Sequence, residues 1–222
     1  MERVEEAIKD LKAGRCVLIY DSPYRESEVD MVFYAGFVDH HRIYELRTEA
    51  GGLICFGTSE GIAKALDLPL IANLLSQTAQ LKILNKRPSY GDPSPFALWV
   101  NSIDVRTGIS DVDRAKTISE LHRVISLVDE GRIEEGRRTF YERFYAPGHV
   151  PILIARNPKS RKGHTELAVL LAELAELKPS VVFAEMLSYG PSMSLDEAKR
   201  YAEKRGLTLL SGQEILSAAG VC

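Results

Sequence analysis

Two short apolar runs, Cys16–Tyr20 and Met31–Ala35, are joined by a connection crowded with charge: Asp21-Ser22-Pro23-Tyr24-Arg25-Glu26-Ser27-Glu28-Val29-Asp30. Runs of that length read as buried strands, so the fold must accommodate four carboxylates and an arginine between two pieces of its core. If the second half of the connection is extended, Glu26, Glu28 and Asp30 point to the same side, because strand side chains alternate. Three converging carboxylates repel one another unless something positive sits among them. A hard divalent cation with oxygen ligands, Mg²⁺ or Mn²⁺, meets that need. Arg25 offers a bidentate fork to a substrate oxyanion.

A second polar cluster, Arg161-Lys162-Gly163-His164-Thr165-Glu166, runs into the helix-forming Leu167–Leu174. Thr165 is the expected N-cap, with an incomplete capping box because Ala168 stands at N3. Free N–H groups at a helix start, with Arg161 and Lys162 beside them and Gly163 allowing close approach, suit phosphate. His164 at that mouth can ligate a metal through a neutral ring nitrogen. Farther on, Glu185 lies inside Val181–Leu187, where a carboxylate is expected to be buried. Such a group needs a partner or a raised pKa, which makes it a functional candidate on physical grounds. His149 follows the turn signal Pro147-Gly148 at a strand entrance. Thr107 and Ser110 lie in a loop after a strand and offer hydroxyls, while Asp113 and Arg114 can form a local pair. Cys55 sits in a buried strand as a small hydrophobe, and His122 beside an apolar helical stripe reads as structural.

Between these clusters, helical and strand patterns alternate without repeats. Val4, Ile8 and Leu11 mark an opening helix ended by Gly14. Strands are expected at Cys16–Tyr20, Met31–Gly36, Leu53–Phe56, Phe96–Asp104, Val150–Ala155 and Val181–Met186. Helices are expected from Asp39 to about Arg47, from Ser59 to Leu66, and along the stripe Ile118, Leu121, Ile125 and Val128. Ser194-x-x-Glu197 and Ser211-x-x-Glu214 are full capping boxes, and Gly206 stops the first of those helices. The stretch from Pro69 to Pro95 gives no clear period. A sheet with helices on its faces follows, in a single domain over residues 1–222.

Taken in order, Arg25–Asp30, Gly51-Gly52-Leu53-Ile54-Cys55, Thr107-Gly108-Ile109-Ser110 with Asp113-Arg114, Pro147-Gly148-His149-Val150, Arg161–Glu166 and Glu185-Met186 resemble the 3,4-dihydroxy-2-butanone 4-phosphate synthase family. The resemblance covers nearly the whole chain; Leu74–Pro95 looks longer than in bacterial members and more like archaeal ones. It implies an α+β fold of three layers, α/β/α, with a mixed twisted sheet. It implies a lyase of riboflavin biosynthesis that converts D-ribulose 5-phosphate to L-3,4-dihydroxy-2-butanone 4-phosphate and formate. By the same resemblance, Glu26 and His164 ligate Mg²⁺ or Mn²⁺, with two ions per site allowed. Arg161, Lys162 and the Gly163–Thr165 backbone hold phosphate, Arg25 and Asp30 bind sugar hydroxyls, and Cys55 and Thr107 lie at the substrate. Asp30, Glu28, His149 and Glu185 share the proton transfers, and which of them is the first base stays open. Family members are homodimers with sites near the subunit interface.

Composition agrees. The 222 residues carry a net charge of −3, which argues against a general nucleic-acid surface. Three cysteines have no metal-like spacing, and no apolar run approaches the ~20 residues of a membrane span. The expectation is a cytoplasmic enzyme acting on a small molecule, with neither nucleic acid nor membrane as partner.

Overall fold

The computed structural model describes residues 2–76 and 87–221. Seven strands form one sheet in the order β4-β5-β3-β6-β2-β1-β7, with β1 Val17–Tyr20, β2 Val29–Tyr34, β3 Cys55–Ser59, β4 Phe96–Ser102, β5 Phe144–Ala155, β6 Ser180–Glu185 and β7 Leu209–Ser211. Pairing is mixed: β1–β7 and β3–β5 are parallel, and the other neighbours are antiparallel. The three-layer reading therefore holds. Alternation divides each strand between two cores. Val17 and Ile19, Val32 and Tyr34, and Val181 and Phe183 face helices α1 (Glu2–Lys12), α7 (His164–Leu174) and α9 (Gly212–Ala218). Leu18, Met31, Phe33, Val182 and Ala184 face the opposite layer, which includes α2 (His40–Glu45), α3 (Glu60–Ala65), α5 (Asp111–Asp129), α6 (Ile133–Arg143) and α8 (Leu195–Arg205). Strands buried on both faces explain why the apolar runs are continuous.

The structure moves several boundaries. β2 begins at Val29, two residues earlier than Met31, because pairing with β6 draws Asp30 into the ladder opposite Glu185. β5 begins at Phe144, and Pro147-Gly148-His149 lies within it. Val100 pairs with Val150 while Asn101 pairs with Tyr145, so the turn signal marks a bulge and not a strand entrance. After α2 the chain continues as a π-helical turn, Leu46–Ala50. The unclear stretch contains the short helix α4, Ile71–Ser76, and the rest of the expected long segment falls partly on residues 77–86, outside the described residues. Helix α6 and strand β7 were not anticipated. Both capping boxes are present, and Gly206 takes the left-handed conformation that ends α8.

Candidate active site at the sheet end

The connection from β1 to β2 folds around Asp21. Its carboxylate is buried and accepts the backbone N–H groups of Glu26 (3.0 Å) and Glu28 (3.3 Å), with Arg25 Nη1 at 3.5 Å. Ser27 adopts a positive φ of 56°, so the connection is a tight turn and not the extended strand that alternation assumed. Glu26, Glu28 and Asp30 nevertheless face a common cavity of about 450 Å³, whose walls also include Tyr90, Arg161, His164, Thr165, Phe183 and Glu185.

His164 is the buried centre of this cavity. Its Nδ1 lies 3.1 Å from Glu26 Oε2, and its Nε2 lies 3.1 Å from the Glu28 carbonyl oxygen and 3.7 Å from Asp30 Oδ1. Both near partners only accept, so both ring nitrogens donate and the ring is an imidazolium. Burial opposes that charge, but Asp30, Glu26 and Asp21 outweigh it and hold the pKa up to about 10. Burial also opposes the Glu26 carboxylate, yet its bond to His164 prevails and brings it down to about 2. Asp30 behaves differently. Burial, with Glu185, Glu26 and Glu28 nearby, overcomes the attraction of His164 and pushes it up to about 8.

Metal ligation suits these atoms. One donor atom each from Asp21, Glu26 and His164 lies within 4.8 Å of the others. Asp30 Oδ1 is buried without a hydrogen-bond partner among the described residues. Two carboxylates and an imidazole match a hard divalent cation, which would take the place of the proton now shared by Glu26 and His164. Asp21 was not a sequence candidate. Its position directly after an apolar run was the available signal.

The helix start differs from expectation. Gly163, and not Thr165, is the N-cap of α7, and Glu166 at N3 accepts the Gly163 N–H at 3.0 Å. Glu166 also accepts the Arg156 N–H (3.0 Å) and forms a buried ion pair with Arg161. Arg161 is thus committed to a protein carboxylate, and the Gly163 N–H is not free for a ligand. The N–H groups of His164, Thr165 and Glu166 have no acceptor among the described residues. A Cβ at Gly163 would lie 2.6 Å from Arg161 Nη1 and 2.9 Å from Arg25 Nη1, so two guanidinium groups meet at this point. Lys162 is exposed and faces a neighbouring cavity lined by Tyr20, Pro23, Tyr24 and Leu216.

Glu185 is half-buried, against the expectation of full burial, because it sits at the end of β6. Its Oε2 accepts the Leu53 N–H at 2.8 Å. Gly52 makes this possible: a Cβ there would lie 2.4 Å from the same oxygen. Glu28 turns its carboxylate to the Ser192 hydroxyl. Cys55 is buried next to these acids, and burial followed by Glu185 and Asp30 pushes its thiol well above the usual value.

His149 and Thr107 lie outside this cavity, near the far edge of the sheet. His149 is held by Asn101, and the Thr107 hydroxyl and N–H donate to Asp113. Asp113 and Arg114 do not take up the local pair open to them: Asp113 turns back to residues 107 and 108, and Arg114 pairs with Asp111 at 3.1 Å. Ser110 caps α5. His122 bonds Ser180 at 2.7 Å and stacks edge-on against Tyr34, as a structural residue should. Sequence reasoning missed Tyr90 and Asp92. Asp92 Oδ2 receives Arg25 Nη2 (2.6 Å) and Nε (3.0 Å), and the Arg25 guanidinium lies 5.1 Å from the Tyr90 ring centroid. No periodicity surrounds them that could have signalled this.

The profile of the 3,4-dihydroxy-2-butanone 4-phosphate synthase family matches residues 5–218. The chain belongs to this family. Synthases of that name from Methanosarcina mazei and Archaeoglobus fulgidus are each 36% identical, over 98% and 96% of this chain and 91% and 92% of theirs. Among solved structures, a two-domain synthase of the family from A. baumannii superposes with a TM-score of 0.77 at 28% identity, over 96% of this chain and 56% of that protein. A family structure in complex with two magnesium ions superposes with a TM-score of 0.76 at 24% identity, which speaks to the fold.

Proposed function

We propose that this chain converts D-ribulose 5-phosphate to L-3,4-dihydroxy-2-butanone 4-phosphate and formate, a lyase step of riboflavin biosynthesis. The observation that carries the reading is His164, at the first turn of α7, set among Glu26, Glu28 and Asp30 in one cavity. Glu26 and His164 are the proposed ligands of Mg²⁺ or Mn²⁺, with Asp21 shaping the loop that presents Glu26. A divalent cation at this position supplies positive charge to substrate oxygens that become negative during enolisation.

The chain's own groups do the rest. Asp30 and Glu185 pair in register across β2 and β6 and line one cavity, so one takes a proton and the other returns it. Phosphate is assigned to the free N–H groups of the α7 start, with Arg25 and Arg161 providing positive charge. Arg161 acts there while paired to Glu166, and Lys162 plays no direct part.

His149 and Thr107 enter through a second copy of the chain in a homodimer. An exposed apolar surface beside them supports this. Tyr44, Ile109 and Val112 are 55%, 54% and 63% exposed. Arg47 joins Tyr44 to the start of α5, bonding Asp111 at 3.0 and 3.1 Å and stacking 5.1 Å from the Tyr44 ring centroid. Large apolar side chains exposed in this way favour association. A cytoplasmic location goes with a metabolic sugar phosphate as substrate. Formate release from ribulose 5-phosphate tests the function: activity is expected with Mg²⁺ and none after rigorous chelation. Absence of formate with metal present would overturn it.

A further inference from the structure

Asn101, on β4, is 1% exposed and makes four polar contacts. Its Oδ1 accepts the backbone N–H of His149 at 2.8 Å. Its Nδ2 lies 2.9 Å from the Tyr145 hydroxyl, 3.1 Å from His149 Nδ1 and 3.4 Å from the Thr107 carbonyl oxygen. A backbone N–H can only donate, so the atom facing it must be the amide oxygen, and the orientation of the amide is settled. The amide nitrogen then faces His149 Nδ1. The amide NH₂ has no lone pair with which to accept, so a protonated Nδ1 at 3.1 Å would set donor against donor. His149 Nδ1 therefore accepts, and the ring proton sits on Nε2.

We propose that Asn101 is a positioning residue that fixes His149 in the Nε2–H tautomer, so that His149 meets a substrate oxyanion as a neutral hydrogen-bond donor and not as a base. The donor half rests on the reading that His149 takes part in the reaction; the tautomer half does not. A neutral imidazole donates a hydrogen bond to a developing enolate oxygen while keeping its proton. In that role Nε2 is also closed to metal, since a protonated nitrogen has no lone pair to give.

The test is ring ¹⁵N NMR of the histidine-labelled full chain at a pH where the ring is neutral, with His149 assigned from a His149→Gln spectrum. Wild-type protein is expected to show Nε2–H. Asn101→Asp replaces the donor with an acceptor and should switch the ring to Nδ1–H. Asn101→Ala should relax it to the solvent-set mixture of the exposed His40 and His41, which covers the case that the buried aspartate does not fold. Wild-type Nδ1–H, or a folded Asn101→Asp variant still in the Nε2–H form, would overturn the proposal. In kinetics, Asn101→Asp should lower kcat by roughly 100-fold, the scale of one lost oxyanion donor, with KM for ribulose 5-phosphate nearly unchanged. Full turnover by His149→Gln would overturn the donor role and leave the tautomer result standing.

Discussion

Removing the Glu166 carboxylate tests whether the α7 start is held by protein charge or waits for a ligand. Glu166→Ala leaves Arg161 buried and uncompensated; the two side chains are 6% and 0% exposed, so solvent screens the pair little. Breaking a buried pair at one end costs about 3–5 kcal/mol. The Arg156 and Gly163 N–H groups also lose their acceptor, each worth about 1 kcal/mol or more. Water entering the gap offsets part of this, so about 4 kcal/mol is the working figure. At roughly 2–4 °C per kcal/mol for a chain of this size, Tm should fall by roughly 8–16 °C by calorimetry or circular dichroism. A double variant, Arg161→Met with Glu166→Leu, removes both charges and should recover part of the loss, because apolar groups of similar volume replace buried pairs at little cost. A Tm drop of less than about 3 °C in Glu166→Ala would refute the structural role given to the pair.

Three further outcomes follow from the site. In metal-free protein His164 is held above its unfolded value of 6.5, up to about 10, so its stabilising contribution is complete below 6.5 and lost as pH rises through 10. Asp30, raised from 3.8 to about 8, acts in the same direction. Tm in EDTA should therefore fall from neutral pH toward 10, Mg²⁺ binding should release protons, and a Tm that rises over that range would contradict the assignment. Arg25→Ala should raise KM for ribulose 5-phosphate by roughly 10- to 100-fold, the scale of one charge-assisted bond; unchanged kinetics would remove Arg25 from the substrate site. Sedimentation should give twice the chain mass of 24.7 kDa, with Val112→Glu shifting the protein to monomer and lowering activity. A fully active wild-type monomer would sink the shared site.

What the sequence disclosed followed local rules. Continuous apolar runs marked the strands because both sheet faces are covered, and Ser194 and Ser211 fixed two helix starts through short-range capping. The misses came from forces that act across the chain. β7 is three residues long and exists because β1 offers it a parallel edge, Leu18 to Leu209 through Tyr20 to Ser211. α6 carries few apolar residues, and only Gly136 and Phe140 are buried, so its period is faint. Asp30 lies just before the strand expected to start at Met31, yet β6 pairs with it and makes it strand.

The site shows the same division more sharply. Residue types announced its chemistry: clustered carboxylates need a cation, and a histidine beside a helix start can join them. Partnerships were not legible, because a charged side chain accepts any opposite charge that the fold brings near. Arg161 and Glu166 are five residues apart and read as a ligand-binding arginine and an acid at the helix start; burial makes them partners of each other. Arg25 is claimed by Asp92, 67 positions away, from a segment with no pattern. The carboxylate that organises the loop, Asp21, lay outside the alternating set Glu26, Glu28 and Asp30, and its burial and two backbone N–H bonds distinguish it. Charge announced a cation and an anion in advance, whereas burial decided which side chains remain free to bind them.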